Sequence, residues 1–311
     1  MNPASSVILL TTLTGAAQGL VTLLALGFLA GLPIAPDCAR SALLLAEAML
    51  AAGLAASFAH LGRPERAWRA VAMWRTSWLS REVIALPLFM AAVALWWLTL
   101  RDGGALSLRP GVMPAIALAL ALLLWLCTAM IYACLRFVQE WATPLTVANF
   151  VLIGLSSGAI LAGAIAAWMG AAALSRAAGP WALALTLVAG GVRLLSLGRN
   201  ARLRPASTLQ SATGIRATPL RQQSMGMSGG AFNTREFFHG RSARVFAGVR
   251  SGFPVLAFAL PLPMIALALA GGGRAAWTAA LLCQWPGLFG ERWFFFAQAR
   301  HPQNLYYQVV S

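Results

Sequence analysis

Residues 41–100 decide the fold. The apolar runs SALLLAEAMLAAGLAASFA (41–59) and VIALPLFMAAVALWWLTL (83–100) flank the polar stretch HLGRPERAWRAVAMWRTSWLSRE (60–82). A spanning α-helix needs about 20 mostly apolar residues, so each run predicts one membrane span. A few polar residues would suffice to join the two spans, yet this connection contains five arginines, three tryptophans, two glutamates and a histidine. The excess indicates that the connection does more than link two helices.

The whole chain has the composition of a membrane protein. Of its 311 residues, 59% are hydrophobic and 10% are charged, whereas soluble domains usually carry about 25% charged residues. No polar block is long enough to fold alone. The sequence therefore predicts one all-α domain, a polytopic helical bundle of about eight transmembrane helices. The predicted spans are 5–32, 41–59, 83–100, 112–135, 145–169, 180–197, 253–270 and 275–297. Seven spans is the alternative, because polar residues interrupt the last run.

The positive charge is distributed unevenly between the two sides of the membrane. The net charge is +15, and all 23 basic residues are arginines. With eight spans, the side that holds both termini carries 17 arginines and the opposite side carries five, while Arg193 lies inside a run. Because basic loops remain in the cytoplasm, the termini are predicted to be cytoplasmic in a bacterial inner membrane. The charge favours anionic lipids and an acidic protein partner. Nucleic acid is not expected, since the arginines lie in connections between spans.

The one long polar connection covers residues 198–252. Its first half is rich in Gly, Ser and Arg and is predicted to be irregular. In its second half, Asn233 followed by Glu236 resembles a capping box, and apolar residues then fall near one helical face. This pattern predicts an amphipathic helix that lies on the membrane surface; the alternative is a solvated basic loop. The apolar positions are Phe238, Val245, Phe246 and Val249.

The sequence does not predict a metal centre or haem in this chain. The four cysteines are scattered, without a C-x-x-C pair, so neither zinc nor an iron–sulfur cluster is indicated. Haem ligation within a helical bundle needs paired histidines inside spans. The three histidines lie at span ends or in connections; they are His60, His239 and His301.

Ionisable residues at span borders are costly and indicate functional sites. His60 and Glu82 border the second and third spans on the arginine-rich side. A histidine titrates near neutral pH, and a glutamate can accept or relay its proton. A quinone head group would need such equipment, with its tail left in lipid. Other polar residues on the same side are Arg63, Arg81, Arg136, Gln139, Glu140, Arg193, Glu291 and Arg292.

Two further groups of residues keep alternative interpretations. Trp68, Trp74 and Trp78 could stack on a quinone ring, but tryptophan is enriched at membrane interfaces in any case. Glu47, about halfway through the second span, could pair with Gln18 or could form one stage of a proton path.

The polar stretches together resemble the membrane-anchor subunits of the dimethyl sulfoxide reductase family, the DmsC-type anchors. The longer forms of the motifs are most similar to the anchors of sulfite dehydrogenase-type complexes. The segments that carry the resemblance are HLGRPERAW (60–68), SWLSRE (77–82), FNTREFFHG (232–240) and ERWFFFAQARHPQNLYY (291–307).

The resemblance implies an eight-helix anchor that holds a molybdopterin catalytic subunit and a four-cluster iron–sulfur subunit on the membrane. Such an anchor exchanges electrons with the quinone pool, so menaquinone or ubiquinone is the implied substrate. The histidine of the H-L-G motif, His60, and the glutamate of the S-x-E motif, Glu82, are associated with the quinol site in these anchors. The dimethyl sulfoxide reductase anchor itself faces the periplasm, whereas sulfite dehydrogenase-like relatives face the cytoplasm, in agreement with the arginine distribution here.

The leading hypothesis is a quinone-reactive anchor in which His60 and Glu82 handle quinone protons, with Arg63 and Arg81 holding these groups. The iron–sulfur partner would dock over the connections 60–82 and 198–252. Their proposed docking arginines are Arg66, Arg69, Arg235, Arg241 and Arg244. The alternatives are a secondary transporter of a small anion and an enzyme that acts on lipids, although no nucleophile with a base in reach is evident.

Overall fold

The centre of the bundle is a close crossing of two helices. α1 (Ser5–Leu29) and α5 (Pro144–Trp168) meet where Gly19 faces Gly158, and a methyl group at either position would overlap the backbone of the facing helix. Small residues allow helices in a membrane to approach closely and gain packing contacts. The computed structural model describes residues 1–59, 61–101 and 111–307. Around the two central helices lie α2 (Pro36–Phe58), α3 (Trp78–Arg101), α4 (Val112–Ala133) and α6 (Ala172–Ala201).

The last apolar segment reverses direction. The helical segment Ala243–Ala297 contains 55 residues, which would extend over about 80 Å if straight, against about 30 Å of hydrocarbon. Gly271 (φ 106°) and Gly273 (φ 55°) adopt left-handed backbone conformations that break it. Gly287 in the returning half then packs against the backbone of Ala257 in the first half. The segment is therefore a helical hairpin.

That hairpin is built from several helical pieces. One π-helical turn lies between its first and second α-helices, and another lies between its second and third α-helices, at the reversal. The pieces are α9 (Ala243–Pro254), Val255–Ala259, α10 (Pro261–Leu267), Ala268–Gly272 and α11 (Gly273–Ala297). Prolines at 254 and 261 border the first π-helical turn, and proline cannot donate the helical hydrogen bond.

The predicted fold class is confirmed: the chain is an all-α, polytopic membrane protein. Within the part of the chain that the structure describes, seven helical segments are long and apolar enough to span a membrane. The seventh is the hairpin, which offers two crossings, so the count of eight stays a prediction.

The connection between α2 and α3 is shorter than the sequence suggested. A 3₁₀ helix occupies Pro64–Met73, and α3 begins at Trp78 rather than at Val83. Glu82 consequently lies in the second turn of a spanning helix rather than in a loop. The geometry of its side chain is therefore set by helix packing.

The predicted capping box at Asn233 is wrong. Phe232 occupies the cap position of the four-residue helix α8 (Asn233–Glu236), and the Asn233 Nδ2 donates to Tyr307 Oη at 2.6 Å instead. The chain breaks at Gly240 (φ 61°), and α9 starts after Ser242, whose Oγ accepts from the Val245 N–H. The remaining short elements are α7 (Leu209–Thr213) and 3₁₀ turns at Gly226–Gly230 and Pro302–Tyr306. Whether α9 begins on the membrane surface stays a prediction.

Candidate functional site

The Glu82 site consists of Glu82, Thr128 and Tyr132 at the end of the bundle where α3 begins and α4 ends. The Thr128 hydroxyl donates to Glu82 Oε1 at 2.5 Å. His60 lies outside the described residues, so its place in one site with Glu82 stays a prediction. No arginine forms an ion pair with Glu82 in residues 1–59, 61–101 and 111–307. Glu82 therefore has an uncharged partner in a largely apolar setting.

Tyr132 continues the site one turn beyond Thr128. Residues four apart lie on the same face of a helix, so Tyr132 follows Thr128 along the side of α4 that faces Glu82. Its ring is the centre of an aromatic cluster, with ring centroids 5.3–5.7 Å away. These rings surround Tyr132 with apolar side chains. The neighbouring rings are Trp141, Phe150, Phe295 and Phe296.

The sequence interpretation did not include Thr128 or Tyr132. The spacing T-x-x-x-Y near the end of a span was visible, and it indicates a shared helix face. The register that places this face opposite Glu82 depends on the packing of α3 against α4, which no local pattern encodes.

Arg81 serves the connection rather than the Glu82 carboxylate. Its Nε donates to Trp74 O at 2.9 Å and its Nη2 donates to Arg75 O at 2.8 Å. Its guanidinium lies 4.3 Å from the centre of the Trp78 ring. These bonds satisfy carbonyl groups where the 3₁₀ helix ends. Arg81 thus fixes the chain just before Glu82, while Arg63 is exposed at the start of the 3₁₀ helix.

The rest of the connection is an exposed surface of mixed character. Trp68 is 70% exposed and Met73 is 61% exposed, and the guanidinium of Arg69 lies 5.5 Å from the Trp68 ring. Exposed large apolar side chains interleaved with arginines suit a membrane interface or a protein contact. The five arginines proposed for docking are all exposed; they are Arg66, Arg69, Arg235, Arg241 and Arg244.

A second charged group lies buried within the bundle and is here called the buried ion cluster. Arg193 Nε on α6 is 2.7 Å from Glu291 Oε1 on α11, and both side chains are 1% exposed. Arg292 Nε is 3.4 Å from Glu291 Oε2, and its guanidinium lies 3.9 Å from the centre of the Phe150 ring. Two arginines and one glutamate leave a net positive charge. The faces of the Phe150 and Phe253 rings, which lie next to the guanidinium groups, partly offset it. The sequence indicated these residues as ionisable but did not pair them.

Of the two alternatives for Glu47, the pairing with Gln18 is not the one that the structure shows. Gln18 Nε2 donates to Ala121 O at 3.0 Å, which joins α1 to α4. Glu47 is partly buried on α2, and its Oε2 has no hydrogen-bond partner among the described residues. Its role in a proton path stays a prediction.

Metal ligands are not clustered in the described ranges 1–59, 61–101 and 111–307. No group of three or more His, Cys, Asp or Glu side chains there is placed to hold a metal ion. Among the described residues, the Glu82 site brings together a carboxyl group, a hydroxyl group and a phenol.

Comparison with known proteins places these observations in a family. The family model described as DMSO reductase anchor subunit (DmsC) matches residues 1–215. A sulfite dehydrogenase subunit from Allochromatium vinosum is 50% identical over 329 aligned positions, which cover 100% of both chains. The anaerobic dimethyl sulfoxide reductase chain YnfH of Escherichia coli is 33% identical over 118 residues, which cover 38% of this chain and 41% of that protein.

Proposed function

Because the chain belongs to the DMSO reductase anchor subunit (DmsC) family, we propose that it is the quinone-reactive membrane anchor of a sulfite dehydrogenase-type complex. The observation that carries this proposal is the full-length similarity, at 50% identity, to a sulfite dehydrogenase subunit. A similarity that covers both chains from end to end includes every span and every connection. We therefore infer that the chain has partners of the same kind, beyond a shared fold.

The proposed partners are an iron–sulfur subunit and a molybdopterin catalytic subunit, which together oxidise sulfite and deliver electrons to the anchor. Menaquinone or ubiquinone in the membrane accepts two electrons and two protons to become a quinol. The chain itself supplies the binding site and the proton transfer. The quinone tail would remain in the lipid beside the long apolar helices. The head group would bind at the Glu82 site at the end of the bundle.

Glu82 is the proposed proton-exchanging group of this site. Proton exchange with a bound head group needs a carboxyl group whose charge no neighbouring cation fixes, and the described partner of Glu82 is the neutral Thr128 hydroxyl. Thr128 orients the carboxyl group through Oε1. Tyr132, one turn nearer the end of α4 than Thr128, adds an aromatic cluster on the same side of that helix. His60 is the proposed donor to a quinone oxygen, and Arg81 and Arg63 support the connection between the two residues.

The proposal is tested by purifying the chain, tagged after Ser311, in mild detergent from its own host. We expect iron, molybdenum and two further polypeptides to accompany it. A chain that is recovered alone in every preparation, without iron or molybdenum, would contradict the anchor function and would favour the transporter alternative.

The quinone site is tested separately with His60→Ala. We expect the complex to assemble and to keep sulfite oxidation with an artificial dye, because the catalytic subunit is unchanged. Quinone-coupled turnover should fall by about 100-fold, the lower range for loss of a general acid or base. Normal quinone-coupled turnover in this variant would contradict the assignment of His60 to the quinone site.

The proposed orientation places both termini and the helix ends near Glu82 in the cytoplasm of a bacterium. The support is the arginine distribution, because basic loops are retained on the cytoplasmic side. Alkaline phosphatase fused after Ser311 should be inactive, since it folds only in an oxidising compartment. An active fusion would reverse the orientation.

A further inference from the structure

A cleft of about 850 Å³ opens at the end of the bundle where α4, α6 and α11 end and α9 begins. It is here called the helix-end cleft. Its lining comes from Met1 and from residues at or beyond those helix ends, in four segments that are distant in sequence. The segments are 136–140, 200–207, 237–246 and 297–305. The Glu82 site lies at the same end of the bundle, since Thr128 and Tyr132 are in the last two turns of α4.

Positive charge predominates in the helix-end cleft. Among the described residues that line it, Arg136, Arg241 and Arg300 stand against a single acidic residue, Glu140. Glu140 is already engaged, because its Oε2 accepts from the Arg300 backbone N–H at 3.4 Å. The cleft therefore offers guanidinium groups, whose planar donors suit carboxylates. Its charge complements an acidic ligand.

Aromatic side chains provide the apolar part of the lining. The imidazole of His301 stacks on Phe237, with centroids 3.8 Å apart and planes 8° apart, and Phe137 meets the same imidazole edge-on at 5.3 Å. Phe137 remains 52% exposed. Exposed aromatic surface next to arginines is typical of the centre of a protein–protein interface. The ligand should therefore bring apolar side chains as well as carboxylates.

The walls of the cleft are fixed by hydrogen bonds between its segments. Asn304 Nδ2 donates to Phe237 O at 2.9 Å, which joins the C-terminal segment to the long connection. Arg199 Nη1 donates to Gln139 O at 3.1 Å, which joins the end of α6 to the segment after α4. Walls held in this way are preorganised, so less conformational entropy is lost when a ligand binds.

We propose that the helix-end cleft receives an acidic segment, carrying apolar side chains, of the protein partner that delivers electrons to the chain. This inference rests on the proposed function and adds the location and chemistry of the contact. A lipid headgroup would share the negative charge. A polypeptide is favoured because the lining lies at and beyond the helix ends and because the cleft presents exposed aromatic rings, which suit side chains. The partner would then sit over the end of the bundle that holds Glu82, as electron delivery requires.

The occupant can be identified by photocross-linking in the intact complex. A photoreactive phenylalanine analogue replaces Phe238, which lines the cleft. The matched control replaces Trp168, which is 59% exposed at the far end of α5. We expect irradiation to join the chain to a partner polypeptide from position 238 and not from position 168. Mass spectrometry should place the adduct in an acidic segment. Adducts with lipid alone, or none at position 238 in a complex that contains iron, would overturn the proposal.

The charge requirement is tested with the double variant Arg136→Glu/Arg241→Glu. The introduced glutamates would repel an acidic segment of the partner. We therefore expect the iron recovered per chain to fall by about tenfold or more. The matched control is Arg176→Glu, at the opposite end of the bundle. Iron recovery that is unchanged in the double variant would overturn the proposal. If no iron or molybdenum accompanies the natural chain on purification, the proposed function itself fails. An iron-containing natural complex with an unoccupied cleft would contradict only the present inference.

Discussion

Two of the glutamates in spanning helices, Glu291 and Glu82, have opposite surroundings. Glu291 is 1% exposed and lies between two guanidinium groups, with Arg193 Nε at 2.7 Å and Arg292 Nε at 3.4 Å. Glu82 has a neutral partner, the Thr128 hydroxyl. Both glutamates lie near the same end of the bundle. Tyr132 stacks on Phe150, and the guanidinium of Arg292 lies over the Phe150 ring.

The difference in partners separates a carboxyl group with a structural role from one suited to chemistry. A glutamate between two arginines forms ion pairs with both, and removing it would leave two buried cations without compensation. Among the described residues, Glu82 meets a hydroxyl group and no cation. The first arrangement fixes helix register, and the second is suited to proton exchange.

The largest effect is expected from breaking the buried ion cluster. Glu291→Ala removes the partner of Arg193 and Arg292 and should lower the free energy of unfolding by about 3–5 kcal/mol. The measurement is thermal unfolding of the chain in detergent.

The matched control is Glu65→Ala on the surface. Glu65 forms an exposed contact with Arg66 at 3.9 Å, and such pairs contribute about 1 kcal/mol or less. Equal destabilisation by the two substitutions would show that the buried cluster has no special structural role.

A smaller effect is expected from removing the neutral partner of Glu82. Thr128→Val keeps the shape of the side chain but removes the hydroxyl donor, a loss of about 1 kcal/mol or about fivefold in quinone-coupled kcat/KM. Thr128→Ser should retain the donor and most of the activity. Identical kinetics in the Val and Ser variants would mean that Thr128 does not orient the carboxyl group.

The comparison also separates what the sequence could predict from what it could not. Hydropathy and arginine position identified the helices and the end of the bundle that holds the polar residues, because a membrane imposes these patterns residue by residue. The pairing of Arg193 with Glu291 depends on the register between α6 and α11, about 100 residues apart along the chain. Gln18 likewise contacts Ala121 O rather than Glu47, since helix packing and not depth alone selects a partner.

Asn233 illustrates the opposite error, in which a local motif is overridden. Residues 233–236 have the spacing of a capping box, but the Asn233 Nδ2 donates a hydrogen bond to Tyr307 Oη at 2.6 Å. A hydrogen bond across 74 residues thereby replaces the local one.

The smallest predicted effect concerns pH. His301 lies outside the spans, and burial, followed by the nearby N-terminal ammonium group, lowers its pKa from the ordinary value of 6.5. The unfolded chain therefore binds the proton more readily than the folded chain. The stability contributed by neutral His301 is complete above about pH 6.5 and declines as the pH falls below it.

His301→Phe should preserve the stacking on Phe237 while reducing the loss of thermal stability between pH 7.5 and pH 5.5. The measurement is the unfolding temperature at both values. His239, whose pKa is also lowered by burial, should retain part of the pH dependence. A pH dependence that is undiminished in His301→Phe would contradict the assignment.

The central claim is that Glu82 exchanges protons with quinone while the carboxylate of Glu291 maintains structure. The most direct test is the ratio of quinone-coupled to dye-coupled sulfite oxidation by the complex carrying Glu82→Gln, with Glu65→Gln as the control for the same chemical change on the surface. We predict that the ratio falls by about 100-fold for Glu82→Gln, with normal assembly and dye activity, and remains unchanged for Glu65→Gln. An unchanged ratio for Glu82→Gln in a fully assembled complex would contradict the claim.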